Sequence, residues 1–199
     1  MNLPNKLTLL RIGMAPLFVA FLVNITVPHH FFIAAILFGL AALTDLLDGK
    51  IARKYNLITN FGKFLDPVAD KILVISALVC FVALGLAEIW FVILIIAREF
   101  MVTSVRLIAV NTGEVIAANL WGKAKTVSQM VAIFGILLMQ YWQELTELGY
   151  IPGFAIAQFS NSTIFWFVGN VLVGICTLFT VISGAVYLKQ NWHLFQNSK

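Results

Sequence analysis

Charge is what this sequence has least of. Only 11% of its 199 residues are Asp, Glu, Lys or Arg, against about a quarter in a soluble domain, and 61% are hydrophobic. That balance excludes an ordinary soluble domain and points to lipid as the solvent. Cysteine is almost missing. Cys80 and Cys176 lie deep in apolar runs, with no Cys-x-x-Cys pair and no histidine at ligand spacing. Both read as small buried apolar residues rather than metal ligands or a redox pair. No Pro/Gly/Ser-rich linker, internal repeat or low-complexity tract divides the chain, so residues 1–199 read as one domain. A small-x-small cleavage site is also lacking after the first apolar run, which ends in Asn24-Ile25-Thr26-Val27-Pro28. The run therefore reads as a retained span, not a signal peptide.

What is present is a set of long apolar runs. A spanning helix needs about 20 mostly apolar residues. Six candidates meet that need: Leu7–Val27, Phe31–Asp48, Phe64–Leu86, Ile89–Val110, Lys123–Trp142 and Ile164–Leu188. Helices are preferred because lipid cannot satisfy an open strand edge, and the runs are too continuous for barrel strands. The expected fold is thus an all-α integral membrane bundle of six transmembrane helices. Six spans place Lys6, Arg11, Lys50, Arg53, Lys54, Lys63, Lys71, Lys123, Lys125, Lys189 and Lys199 on or near one side, and no Lys or Arg on the other. That asymmetry makes the basic side cytoplasmic, with both termini on it. The net charge of +4 is explained by this orientation and does not call for a nucleic-acid partner. Trp142 and Trp166 suit the opposite interface.

Four of the nine acidic residues gather where the second and third spans meet the cytoplasmic side. Asp45 and Asp48 are three apart; Asp66 and Asp70 are four apart. Each spacing puts a pair on one helix face. The two spans are expected to be antiparallel neighbours, so four carboxylates can converge at one depth. Such a cluster needs protonation or cations to offset the repulsion. Oxygen-only ligands suit Mg²⁺, Mn²⁺ or Ca²⁺. Gly49 leaves open space beside the carboxylates for a ligand, or serves plain helix packing. Arg53 lies one turn on, and Pro67 suits the first turn of a helix. A cation-bridged carboxylate cluster with an arginine fits a diphosphate, and so phosphoryl transfer at the membrane surface.

The run Asp45-Leu46-Leu47-Asp48-Gly49-Lys50-Ile51-Ala52-Arg53, followed after eight residues by Gly62, then Asp66 and Asp70 at intervals of four, resembles the CDP-alcohol phosphotransferase signature, with every specified position present. Pro4-Asn5-Lys6-Leu7-Thr8-Leu9-Leu10-Arg11 is similar to the family's donor-binding segment. Leu65–Lys71, Ala97–Phe100 with Arg106, and Trp121–Thr126 resemble members whose donor is CDP-diacylglycerol and whose acceptor is glycerol 3-phosphate.

The resemblance implies a membrane enzyme that moves a phosphatidyl group to an alcohol and releases CMP. It also implies a homodimer, in a bacterial cell membrane, with its active site facing the cytoplasm. By the same resemblance, Asp45, Asp48, Asp66 and Asp70 would hold Mg²⁺ or Mn²⁺. Asn5, Thr8, Arg11, Gly49, Arg53 and Thr59 would contact CDP-diacylglycerol, and Asp70 would be the general base, or else a fourth metal ligand. Arg98, Arg106, Lys123 and Lys125 are expected to form a cationic pocket for the acceptor phosphate. The competing reading for these four is an Arg98–Glu99 ion pair with snorkelling lysines. The last span carries little recognisable signature and adds nothing to the choice of substrate. Rival functions are a sister enzyme with another acceptor (inositol phosphate, serine or phosphatidylglycerol), a cation transporter and a membrane scaffold. A transporter site belongs near the midplane, and these aspartates lie at one end.

Overall fold

The computed structural model describes residues 3–54, 60–111, 120–152 and 161–192, and within these it leaves the side chains of 3–4, 46–54, 60–64, 66–67, 110–111 and 161 out of account. Among the described residues there are six helices and no strand: α1 (Leu3–Val23), α2 (His30–Lys54), α3 (Asn60–Ala83), α4 (Ile89–Asn111), α5 (Leu120–Glu147) and α6 (Asn161–Gln190). Each expected span corresponds to one helix. Three segments, Asn5–Val23, Leu120–Glu147 and Ser162–Gln190, are long and apolar enough to cross a membrane, and the apolar part of α2, His30–Asp45, is shorter. These helices mark a membrane protein.

The helix ends depart from expectation for local reasons. α1 starts earlier, at Leu3, because Pro4 falls in the first turn, where its missing N–H leaves nothing unpaired. It stops at Val23 because the Asn24 Oδ1 accepts both the Thr26 backbone N–H (3.2 Å) and the Thr26 hydroxyl (2.7 Å), a local turn that competes with helix. α3 and α5 both close on a glycine in the left-handed region, Gly85 (φ 70°) and Gly149 (φ 77°). In each case the next N–H reaches back five residues, Leu86 to the Phe81 carbonyl (2.7 Å) and Tyr150 to the Leu145 carbonyl (3.0 Å). Any other residue there would be strained.

Among the described residues α1 packs on both aspartate-bearing helices, α2 and α3, which also touch each other. α6 packs on α5 and α4, and α2 with α5 joins the two groups. The core is aromatic and aliphatic. Phe38 stands 5.7 Å from Phe18 and 5.2 Å from Phe134, ring centre to ring centre, beside the fully buried Phe81, Ile133, Leu137 and Val173. Buried hydroxyls in α6 are satisfied within the helix: Thr177 donates to the Val173 carbonyl (2.8 Å) and Thr180 to that of Cys176 (2.7 Å). The opposite face of α6 exposes Phe167, Val171, Ile175 and Leu178 at helical spacing, an apolar stripe suited to lipid.

Candidate active site

The amino-terminal parts of α1, α3 and α5 meet the carboxy-terminal parts of α2, α4 and α6 at one end of the bundle. The polar residues of α1 face inward there. Asn5, Thr8 and Arg11 recur every three residues and all are buried. Arg11 Nη1 lies 2.6 Å from Asp45 Oδ1, so α1 delivers a cation to the first aspartate of the signature. Asp45 keeps 42% of its side-chain surface exposed, and is open to a ligand on its outer side.

Asp70 of α3 borders a cavity of about 540 Å³. Arg98, Arg106, Lys123 and Lys125 line the same cavity, brought in by α4 and α5. The carboxylates of Asp45 and Asp70 are near enough for their charges to act on each other, and the Lys125 ammonium is near enough to act on Asp70. Glu99 is the hub on the inner wall. One oxygen, Oε1, accepts Arg98 Nη1 at 3.1 Å and is paired with Lys125 Nζ. All three side chains are close to nine-tenths buried. An isolated cation at such depth is costly, and the shared carboxylate offsets that cost. Arg106 and Lys123 are exposed on the cavity rim, and among the described residues neither makes an ion pair. The cavity thus carries more positive than negative charge, as a pocket for a phosphate requires.

Two features of the cations stand side by side here. The four gather on one cavity, and the Arg98–Glu99 ion pair exists as well. The sequence reading missed three residues on α6. Ser183 accepts Arg98 Nη2 at 2.7 Å, Gly184 packs against the Arg98 stem, and Tyr187 lines the cavity. The one signal for them was a run of small residues, Ser183-Gly184-Ala185, in an apolar helix.

Asp48, Gly49, Arg53 and Asp66 fall on α2 and α3, but their side chains lie outside the described residues, as does Thr59 entirely. Among the described residues no three carboxylate, histidine or cysteine side chains stand together as a metal cluster. The donor chemistry of the described pair nevertheless fits a hard cation. Asp45 on α2 and Asp70 on α3 offer oxygen donors alone, the chemistry a hard cation takes.

Carboxylates and a cationic pocket at one end of an apolar helical bundle define a membrane enzyme that handles phosphate groups. Comparison with known proteins makes the class specific. A profile of the CDP-alcohol phosphatidyltransferase family matches residues 1–182, and the chain belongs to that family. It is 40% identical to the Bacillus subtilis protein named CDP-diacylglycerol–glycerol-3-phosphate 3-phosphatidyltransferase, over 99% of this chain and 98% of that one. It is 35% identical to a Rickettsia bellii protein of the same name, over 94% of each chain. A Mycobacterium tuberculosis protein named probable phosphatidylglycerophosphate synthase is 44% identical over 66% of this chain and 64% of its own.

Proposed function

We propose that the protein transfers the phosphatidyl group of CDP-diacylglycerol to glycerol 3-phosphate, giving phosphatidylglycerophosphate and CMP. Relatives bearing that activity in their names align over nearly the whole chain. The observation that carries the reading is the cavity in which Asp70 meets Arg98, Arg106, Lys123 and Lys125. A carboxylate stands there beside a cationic cradle for an anionic acceptor.

In this reading the acceptor's phosphate lies among Arg106, Lys123, Lys125 and Arg98, each adding charge-assisted hydrogen bonds. Its free hydroxyl is directed toward Asp70. Asp70 takes the hydroxyl proton as the oxygen attacks the phosphatidyl phosphorus. The phosphorus–oxygen bond to CMP breaks, and CMP leaves with the bonding pair. Asn5, Thr8, Arg11, Gly49, Arg53 and Thr59 hold the donor, and Arg11, fixed on Asp45, links the donor-binding face of α1 to the aspartates. Asp45, Asp48 and Asp66, with Asp70 beside them, would hold Mg²⁺ or Mn²⁺. Such a cation neutralises the diphosphate oxygens and the charge that develops in displacement. The buried Glu99 keeps Arg98 and Lys125 extended toward the cavity.

All six helices span the bilayer in this proposal, with both termini and the site on the cytoplasmic side of a bacterial membrane, and the enzyme works as a homodimer. The positive-inside asymmetry of the loops supports the orientation. CMP release from CDP-diacylglycerol by purified protein, measured with a panel of acceptors, tests the function. Release with glycerol 3-phosphate well above that with serine, inositol phosphate or phosphatidylglycerol is expected. Preference for another acceptor would overturn the assignment within the family.

A further inference from the structure

α6 has no motif in its sequence, yet it forms one wall of the cavity. Ser183 and Gly184, and Tyr187 one turn further on, face α4 there. Ser183 is fully buried and its hydroxyl accepts Arg98 Nη2. A Cβ on Gly184 would stand 2.9 Å from Arg98 Cγ, closer than two carbons approach, so only glycine lets the arginine stem lie against α6. The Tyr187 ring packs among Val102, Val105 and Ala109. Tyr187 is 4% exposed, and among the described residues its hydroxyl has no hydrogen-bond partner.

Tyr187 lines the cavity while its hydroxyl is buried beneath that surface. Buried polar groups are almost always paired, so an unpaired hydroxyl this close to the cavity is suited to a ligand that completes it. Arg98 Nε is a second buried donor without a partner among the described residues. One ligand would satisfy both if it carried several acceptor oxygens and negative charge. A phosphate monoester has that chemistry, and Arg106, Lys123 and Lys125 line the same cavity.

We propose that Tyr187 is an acceptor-binding residue, its hydroxyl donating to the phosphate of glycerol 3-phosphate, and that Ser183 and Gly184 are positioning residues that hold Arg98 toward the same group. The proposal rests on the acceptor reading given above and extends it to a helix whose sequence carries no motif.

Tyr187→Phe removes one oxygen and keeps the packed ring. Loss of a hydrogen bond to a charged group should raise the KM for glycerol 3-phosphate roughly ten- to a hundredfold, and that for CDP-diacylglycerol far less. No rise, or an equal rise for both substrates, overturns the role of Tyr187. Gly184→Ala and Ser183→Ala should each raise the acceptor KM through Arg98. Either change combined with Arg98→Ala should then be no worse than Arg98→Ala alone, whereas additive effects overturn the positioning role. The wild-type control separates the two levels. Wild-type protein that releases no CMP on addition of glycerol 3-phosphate overturns the acceptor reading itself. An active wild type beside an unshifted Tyr187→Phe overturns the Tyr187 proposal alone.

Discussion

The residues that govern this site are those a membrane tolerates least. An aspartate near a helix centre costs about 2.5–3.5 kcal/mol on insertion scales, so charges in apolar runs need a compensating role. That argument made Asp45, Asp70, Arg98 and Arg106 visible in the sequence. Four predictions belong at this scale. Asp45→Asn removes the partner of Arg11 and, in the mechanism proposed above, a hard oxygen ligand, and should abolish most activity while the protein stays in the membrane. Chelation of divalent cations should do the same to wild-type protein, and CMP release in excess chelator at the wild-type rate would remove the metal from the mechanism. Asp70→Asn should lower kcat about 10²- to 10⁴-fold, the usual contribution of a positioned base, with binding of CDP-diacylglycerol kept. Loss of donor binding in that variant would make Asp70 a ligand instead. Arg106→Ala should raise the KM for glycerol 3-phosphate more than that for CDP-diacylglycerol. Arg106 lies on the rim without an ion pair among the described residues, so its removal strands no carboxylate there. Steady-state kinetics with each substrate varied would show the difference.

At the scale of the helix, the least legible feature was the start of α2. Its sequence, Pro28-His29-His30, carries no Ser, Thr, Asp or Asn to cap the helix. The cap comes from far along the chain. Glu144, expected in a loop beyond the fifth span, lies within the last turns of α5 and is buried. Its carboxylate accepts the backbone N–H of His30 (3.1 Å) and of Phe31 (3.4 Å). His29 is forced to a positive φ of 61° just before this cap, with its ring stacked on Tyr150 and edge-on to Tyr141. A carboxylate at a helix N-terminus also faces the positive end of the helix dipole. Glu144→Ala should therefore destabilise the fold by about 1–3 kcal/mol, the cost of leaving buried donors unpaired. Thermal unfolding in detergent should show a Tm several degrees lower. Glu144 lies at the end of the bundle opposite the cavity, so kcat at low temperature should hold; a lost kcat with an unchanged Tm would contradict the capping role.

For the whole molecule, the arrangement separates two tasks by end. The end with the cavity gathers charge, and the other is built from caps and aromatic contacts: Glu144 on α2, and Asn170 Oδ1 accepting the Glu88 N–H (2.9 Å) at the start of α4. Such a division suits a protein that meets a charged, water-soluble substrate on one side of a membrane. Reporter fusions at His30 and at Lys199 should accordingly read opposite sides. The same signal at both would rule out six spans with cytoplasmic termini.

The sequence by itself determined the helical class, the six helices found among the described residues, the end at which charge gathers and the family. Those follow from run length, charge placement and local spacing, all of which act within one or two turns of the chain. It also supplied the four cations of the pocket, because Arg98 and Arg106 stand out against an apolar helix. Tertiary structure alone decided which groups pair. Arg11 reaches Asp45 because α1 packs against α2, and Glu99 joins Arg98 to Lys125 because side chains of α4 and α5 meet across the cavity they both line. Ser183, Gly184 and Tyr187 entered the site for the same reason. Their side chains are ordinary for a membrane helix, and only the approach of α6 to α4 gives a hydroxyl, a missing Cβ and a phenol something to act on. Contacts between residues far apart in the chain depend on how helices are packed, and that arrangement has no local signature.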